Sequence, residues 1–162
     1  MCGIAGLFGA SPGADRQALV TRMAARIRHR GPDGEGVFVD ARAALGHVRL
    51  SIIDAEGGAQ PMHSRDQRYV LTFNGEIYNY LELRTELEAD GVAFETHSDT
   101  EVLLAMLVRH GSDALPRLNG MFSFAFYDRR DGGWLLARDP FGIKPLYVAE
   151  LADGLLFASE IK

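Results

Sequence analysis

The chain has 162 residues, of which 47% are hydrophobic and 24% charged, as in an ordinary globular protein with a sizeable core. Its formal net charge is −5 and it has no run rich in lysine and arginine, which argues against nucleic-acid binding. It also has no apolar stretch of transmembrane length and no signal-peptide pattern at its start. We therefore expect one domain over residues 1–162 with no membrane partner, and the single cysteine fits the reducing conditions of the cytoplasm.

The first third of the chain is predicted to form strands around one helix. Residues 3–8 are an apolar run typical of a buried strand. Asp15 is placed to cap a helix that continues to about residue 29. Residues 37–39 and 44–53 then predict two strands joined by a short connection.

The middle of the chain is predicted to be mainly helical. A strand over 69–73 is expected to end at Asn74-Gly75. Two capping-box patterns predict the helix starts that follow it, Asn79 with Glu82 and Ser98 with Glu101. Gly91 is expected to end the first of these helices, and the second is predicted over about 99–109.

The last third returns to strands. Alternating aromatic residues begin after Gly120, and strands are predicted over 134–138, 146–151 and 155–159. Strands at both ends with helices between them do not match the alternating pattern of a parallel sheet. The sequence therefore predicts an α+β fold of antiparallel sheets with helices on their outer faces.

Cys2 is the first candidate functional residue, because it follows the initiator methionine directly. If Met1 is removed, Cys2 carries both a thiol and a free α-amine, and the amine can accept the thiol proton. Nucleophile and base then belong to one residue. The alternative is an incidental cysteine near a frayed end. A Cys–His dyad formed in three dimensions, through His29 or His47, is a further alternative without local support.

Asn74 and Gly75 have two interpretations. Asn-Gly is a favoured two-residue hairpin turn. A carboxamide donor next to an unhindered backbone N–H can instead form an oxyanion hole. The residues that follow do not alternate like a returning strand, which weakens the hairpin interpretation.

Two charged residues are candidates for substrate binding. Arg49, among apolar neighbours, lies either on the solvent face or in a bidentate clamp on a carboxylate. Asp99, at a predicted helix start, either stabilises the helix dipole or accepts an ammonium group. No metal site is predicted near His97, since Glu101 is accounted for by its cap and no second His/Cys cluster exists.

Seven motifs occur along the chain: MCGIAG (1–6), HRGPDG (29–34), RLSIID (49–54), GAQPM (58–62), NGEIYN (74–79), SDTE (98–101) and RDPFGIKPLY (138–147). Together they resemble one family, the glutaminase domain of class II glutamine amidotransferases, in its asparagine synthetase branch. The match spans essentially the whole chain.

The resemblance implies a fold and a set of roles. The fold is the four-layer αββα sandwich of N-terminal nucleophile hydrolases, with two antiparallel sheets between helical layers. Cys2 would be the nucleophile, and Asn74 and Gly75 the oxyanion hole. Substrate binding would involve four positions: Arg49 at the glutamine α-carboxylate, Glu76 and Asp99 near the α-ammonium group, and backbone groups around Ile52.

The resemblance also implies partners for this chain, and it indicates which part of an asparagine synthetase the given sequence does not contain. Asparagine synthetases carry a second, ATP-dependent domain whose pyrophosphate loop is not found in this chain, which ends at Lys162. The expected activity is therefore hydrolysis of L-glutamine, with no cofactor or metal in this half and ATP and Mg²⁺ confined to a synthetase domain or subunit that uses the ammonia. Self-association, or binding to a separate synthetase chain, is also expected through the segment 140–146, which joins a tight turn to apolar residues that we expect to be exposed. The rival functions are an N-terminal-cysteine amidohydrolase acting on another amide and a non-catalytic regulatory module of the same fold.

Overall fold

Two antiparallel sheets form the centre of the computed structural model, which describes residues 1–9, 15–51, 54 and 57–162. The strands of this part of the chain are β1 (Gly3–Gly9), β2 (Gly34–Val39), β3 (Ala43–Arg49), β4 (Met62–His63), β5 (Tyr69–Ile77), β6 (Gly120–Asp128), β7 (Trp134–Arg138), β8 (Tyr147–Leu151) and β9 (Gly154–Ala158). One sheet has the order β2-β3-β1-β9-β8 and the other β4-β5-β6-β7.

Helices cover the outer faces of both sheets. They are α1 (Arg16–Arg26), α2 (Tyr80–Ala89) and α3 (Asp99–His110). Helix α1 packs on β1, β2 and β3, whereas α3 packs on β5 and against α2. The predicted α+β class and its four layers in the order αββα are therefore present.

Strand alternation divides the apolar residues between the layers. Ala5 and Leu7 of β1 pack towards α1, whereas Ile4 and Phe8 pack between the sheets. In β5, Val70 faces the other sheet, and Leu71 and Phe73 face the helices. Because successive side chains of a strand point to opposite faces, the even-numbered residues of β5 line the space between the sheets.

Two of the three predicted helix starts use the expected caps. The Asp15 side chain accepts a hydrogen bond from the Ala18 N–H, although α1 ends at Arg26, earlier than expected, and a 3₁₀ turn follows at Arg28–Arg30. Ser98 accepts from the Thr100 N–H at the start of α3.

The capping boxes themselves are only partly correct. The Glu101 carboxylate accepts from the N–H groups of Glu95 and Thr96, not from that of Ser98. Asn79 precedes α2, but its side chain donates to the Arg117 carbonyl and accepts from the Asn119 N–H, so it does not cap the helix. A longer-range bond that holds two loops together has replaced the local one.

Strand β5 corrects the prediction that a strand ends at Asn74-Gly75. It continues to Ile77, paired with β6 along its whole length, so Asn74-Gly75 is neither a strand end nor a hairpin turn. Strand β3 ends at Arg49, and the predicted continuation over 52–53 lies outside the described residues. The described helices include none long and apolar enough to span a membrane.

Candidate active site

A pocket opens at one end of the space between the sheets, where β1 begins and β3 ends. Six of the predicted site residues line it: Cys2, Arg49, Asn74, Gly75, Glu76 and Asp99. The seventh, Ile52, lies outside the described residues. The structure therefore brings together side chains that are up to 97 positions apart in the sequence.

Strand alternation explains how three of these side chains reach the pocket. Cys2 continues the inter-sheet face of Ile4 in β1. Arg49 continues the inter-sheet face of β3, whose His47 ring reaches β5. Asn74 belongs to the inter-sheet face of β5. Two sheets packed face to face thus bring the ends of three strands onto one cavity.

Cys2 is held by its backbone and its sulfur. The Arg30 Nε donates to the Cys2 carbonyl at 2.9 Å, and the Arg30 side chain is also paired with Glu160 at 2.9 Å. Hydrogen bonds lower the pKa of Glu160 to about 2, and the bond from Lys162 has the largest effect, followed by that from Arg30. The carboxylate therefore stays charged. The Cys2 Sγ lies 3.4 Å from the Leu50 nitrogen, which donates to it.

Asn74 carries the most informative feature of the pocket. Its side chain is 1% exposed, and neither its Nδ2 nor its Oδ1 has a hydrogen-bond partner among the described residues. Buried side-chain amides are normally satisfied, because an unpaired one costs roughly 1–3 kcal/mol. A buried, unpaired amide that lines a pocket beside a thiol is suited to receive a ligand oxygen.

The hydrogen-bonding pattern of β5 directs the Gly75 N–H away from β6. Phe122 of β6 lies opposite Gly75. Its N–H donates to the Asp139 carboxylate and its carbonyl accepts from the Asp139 N–H, so both groups point away from β5. Gly75 therefore belongs to a non-hydrogen-bonded pair, and its N–H points away from β6. The N–H groups two residues to either side point the same way, that of Phe73 to Gln60 and that of Ile77 to Asp99.

Only glycine fits at position 75. A Cβ there would collide with the Met121 carbonyl and the Phe122 Cα of the adjoining strand. Packing therefore explains why glycine follows Asn74, in addition to the suggested chemistry. Without a side chain, Gly75 permits the close strand pairing that orients the amide beside it.

Arg49 lies in the pocket rather than on a purely solvent-facing surface. Its guanidinium donates to the Asp54 carbonyl at 2.5 Å. Gly58 packs directly against the same guanidinium, where a larger side chain would collide with it. The Asp54 carboxylate accepts from the N–H groups of Gly57 and His97, and these bonds lower its pKa.

Asp99 and Glu76 give the pocket a negative side. Asp99 is the first residue of α3, is 4% exposed, and accepts from the Ile77 N–H at 3.0 Å. Burial raises the pKa of Asp99, and the nearby Glu76 carboxylate raises it further. Two neighbouring carboxylates, one of them buried, favour the binding of a cation between them.

The alternative chemistries receive no support from the geometry. No group of three His, Cys, Asp or Glu side chains is placed to hold a metal in the described ranges. His29 pairs with Glu160, and the His47 Nε2 lies 3.1 Å from the Phe73 carbonyl. Neither histidine contacts the Cys2 sulfur in the part of the chain that the structure describes.

Sequence reasoning missed several residues of the pocket, among them Gln60, Thr100 and Lys144. The Gln60 Oε1 accepts from the Phe73 N–H at 2.6 Å, and its Nε2 lies 3.4 Å from the Thr100 Oγ1. All three lie inside quoted motifs, so the sequence marked their positions, but no spacing indicated what they contact.

Two antiparallel sheets between helical layers, with a cysteine at the start of β1 beside a buried amide, define an N-terminal-nucleophile amidotransferase fold. The chain belongs to the glutamine amidotransferase domain family, whose match covers residues 1–162. This confirms the family suggested by the motifs.

The relatives agree with that assignment. Asparagine synthetase 1 (glutamine-hydrolyzing) of Bacillus subtilis is 50% identical over 165 residues, covering 100% of this chain and 26% of the relative. Asparagine synthetase B (glutamine-hydrolyzing) of Escherichia coli is 42% identical, with 100% and 29% covered. The chain therefore spans less than a third of the length of these relatives.

A solved structure has the same architecture. The glutamine phosphoribosylpyrophosphate amidotransferase of B. subtilis superposes with a TM-score of 0.79 and 26% sequence identity, over 98% of this chain and 42% of that protein. The fold class predicted from the sequence is confirmed.

Proposed function

We propose that this chain hydrolyses L-glutamine to L-glutamate and ammonia, with Cys2 as the nucleophile. The observation that carries this proposal is the unpaired, buried amide of Asn74 in the pocket that contains the only cysteine of the sequence. Membership of the glutamine amidotransferase domain family and the names of the relatives support glutamine as the substrate.

The proposed reaction accounts for each bond that forms or breaks and for the transfer of the thiol proton. The Cys2 thiolate attacks the side-chain carboxamide carbon, and the Asn74 Nδ2 and the Gly75 N–H stabilise the resulting oxyanion. The Cys2 α-amine, freed by loss of Met1, takes the thiol proton and returns it to the departing ammonia. Water then cleaves the thioester, which releases glutamate and restores the thiol.

The charged side chains of the pocket fit the two ends of an amino acid. Arg49 would bind the α-carboxylate, because a guanidinium offers two parallel donors to it. Glu76 and Asp99 would accept the α-ammonium group, whose charge offsets the repulsion between the carboxylates. Backbone groups around Ile52 complete the proposed substrate site.

These charges also favour glutamine over the rival substrate class. An N-terminal-cysteine amidohydrolase that acts on apolar acylated amines has no use for a guanidinium and two carboxylates around the thiol. In a non-catalytic module, the buried Asn74 amide, which has no partner among the described residues, would lower the stability of the fold without any gain in function. Both rivals remain outcomes of the experiment below.

The ammonia is proposed to serve asparagine synthesis, which the names of the relatives state, through an ATP-dependent amidation carried out by a synthetase domain or subunit. ATP and Mg²⁺ would belong to that partner, and the glutaminase chemistry needs no cofactor. We also propose the cytoplasm as the compartment, since a free thiol nucleophile requires reducing conditions, and self-association as a property of the isolated chain.

The test is amide hydrolysis by the purified chain, measured as release of ammonia or amine from each substrate and as glutamate formed from glutamine, with mass spectrometry of the N-terminus. We expect activity with glutamine, loss of activity in Cys2→Ala, and much weaker activity with the glutamine analogue that lacks the α-amine. Chain that retains Met1 should fold and be inactive. Full activity with Met1 attached would refute the α-amine as base, and equal activity on apolar amides would favour the rival amidohydrolase.

A further inference from the structure

Lys144 is one of two lysines in the sequence, and its side chain lines the pocket that contains Cys2. It is only 5% exposed, although lysine is almost never so buried without a charged partner. Its Nζ lies 3.5 Å from the Met1 Sδ, a weak acceptor, and it forms no ion pair with any described residue. Once Met1 has left, this ammonium group faces the vacated space next to the nucleophile.

The loop between β7 and β8 fixes the backbone of Lys144. The buried Asp139 carboxylate accepts from the N–H groups of Ile143 at 2.9 Å and Lys144 at 3.0 Å. The Arg138 Nε donates to the Lys144 carbonyl at 2.7 Å. Phe141 in the same loop is 88% exposed. The loop therefore turns its lysine inward and an aromatic residue outward, the reverse of the usual preference.

Charged groups from four parts of the chain act on the Lys144 ammonium. Burial lowers the pKa of Lys144, and Arg30 of the 3₁₀ turn lowers it further. Cys2, Glu76 of β5 and Asp139 of its own loop act in the opposite direction. Lys144 and Cys2 line the same pocket, so the positive charge of the one lies near the sulfur of the other.

We propose that Lys144 is a positioning residue for the reaction: its buried ammonium group stabilises the Cys2 thiolate in the chain that has lost Met1. This role rests on the proposed function, because it requires Cys2 to act as a nucleophile. Lys144 supplies a fixed positive charge, while the α-amine of Cys2 transfers the proton. The two amines thus divide the tasks of stabilising the sulfur anion and moving its proton.

The test is the pH dependence of Cys2 alkylation by iodoacetamide, which reports one site because the sequence has one cysteine. Wild type, Lys144→Met, Lys144→Gln and Lys144→Arg are compared after mass spectrometry has verified loss of Met1. Arg65→Met is the control, since it removes one positive charge at an exposed pair with Glu95. Glutamine kcat/KM is measured over the same pH range.

We expect the alkylation midpoint of Lys144→Met and Lys144→Gln to move to higher pH, because a positive charge near the sulfur is lost, with Lys144→Arg and Arg65→Met near wild type. Glutaminase kcat/KM of the neutral variants should fall most at low pH and recover as the pH rises. Folded neutral variants with the wild-type midpoint would overturn the role. If both neutral variants unfold while Lys144→Arg folds, Lys144 serves the packing of its loop and the role is again overturned.

The same data separate this role from the proposed function. A lysine-dependent midpoint in a wild-type chain that does not turn over glutamine would refute the glutaminase proposal alone. Normal glutamine turnover with an unchanged midpoint in Lys144→Met would refute the role of Lys144 alone.

Discussion

Asn74 is the residue at which stability and function are expected to oppose each other. Its amide is buried and has no hydrogen-bond partner among the described residues, so the folded chain bears a desolvation cost. In the proposed reaction the Asn74 amide gains its full hydrogen bond only when negative charge develops on the substrate oxygen. Such an interaction stabilises the transition state more than the bound substrate, so it lowers the activation barrier instead of tightening substrate binding.

Asn74→Leu tests this opposition, because leucine has a similar branched shape and no polar atoms. We expect the free energy of unfolding to be unchanged or higher, and kcat for glutamine to fall about 10²–10³-fold, the usual effect of removing one oxyanion donor. Denaturant unfolding and steady-state kinetics measure the two quantities. Ser123→Ala is the control for loss of a buried polar atom: its Oγ has no partner among the described residues, and it lies directly opposite Asn74 on β6 but outside the pocket lining. If lost activity tracks lost folded protein, Asn74 has a structural role only.

Arg49 gives a second prediction at this scale. Arg49→Lys keeps the positive charge but loses the two-point grip on a carboxylate. We expect KM for glutamine to rise by about tenfold or more, the range of a charge-assisted hydrogen bond, while alkylation of Cys2 by a small reagent changes little. Arg65→Lys, at an exposed site, should leave both unchanged. Unaltered glutamine kinetics in Arg49→Lys would exclude a role in binding the carboxylate.

Among the elements, β5 shows where sequence reasoning succeeded and failed. Local preference favoured a turn at Asn74-Gly75, but nine residues of pairing with β6 override that preference. Beyond the short pairing of β5 with β4, the N–H groups of Phe73, Gly75 and Ile77 point away from β6, to Gln60, the pocket and Asp99 respectively. Motif resemblance predicted a functional role for the Asn74-Gly75 pair, whereas only the strand register explains why the Gly75 N–H is directed to the pocket.

His47 of β3 links the two sheets and gives a pH prediction. It is 1% exposed, and burial lowers its pKa to about 4 while its Nε2 is bonded to the Phe73 carbonyl. In the unfolded chain the pKa of histidine is about 6.5. Between these two values the unfolded chain binds a proton that the folded chain does not, so stability falls as the pH drops through this window.

The expected loss from His47 is about 3 kcal/mol between pH 6.5 and 4, since one pKa unit corresponds to about 1.4 kcal/mol. Urea unfolding at several pH values measures it. His47→Gln keeps a donor for the Phe73 carbonyl and does not titrate, so its stability should depend less on pH in this window. His97→Gln, an exposed histidine, should retain the wild-type dependence. Equal slopes in wild type and His47→Gln would contradict a buried neutral histidine.

For the whole molecule, periodicity and caps predicted the layers because each layer depends on local patterns. The pocket depends on which strand ends meet, and only resemblance to a family supplied that information. Lys144 illustrates the remaining limit: a charged residue in a Gly-Pro-rich segment predicts a solvent-exposed loop, and the bonds of Asp139 that turn it inward depend on the folded loop.

The face around β8 exposes several apolar side chains close together. All five residues of β8 are exposed, at the edge of its sheet, and the adjoining loop exposes Phe141 and Ile143. Within the segment 140–146, where apolar exposure was expected, Lys144 is buried and Leu146 packs between the sheets, so the prediction holds for part of the segment. Exposed apolar patches and free strand edges favour association.

We therefore expect the purified chain to self-associate through this face. Phe141→Ser combined with Val148→Lys should shift the chain towards monomer in sedimentation velocity, because one change removes apolar surface and the other places a charge on the strand edge. Leu81→Ser, at an exposed leucine of α2, should not. Glutaminase kcat/KM of the double variant should stay within about twofold of wild type, as surface changes away from a site rarely alter it. A wild-type chain that is monomeric at all concentrations would show that exposure of this face does not drive association of the isolated chain.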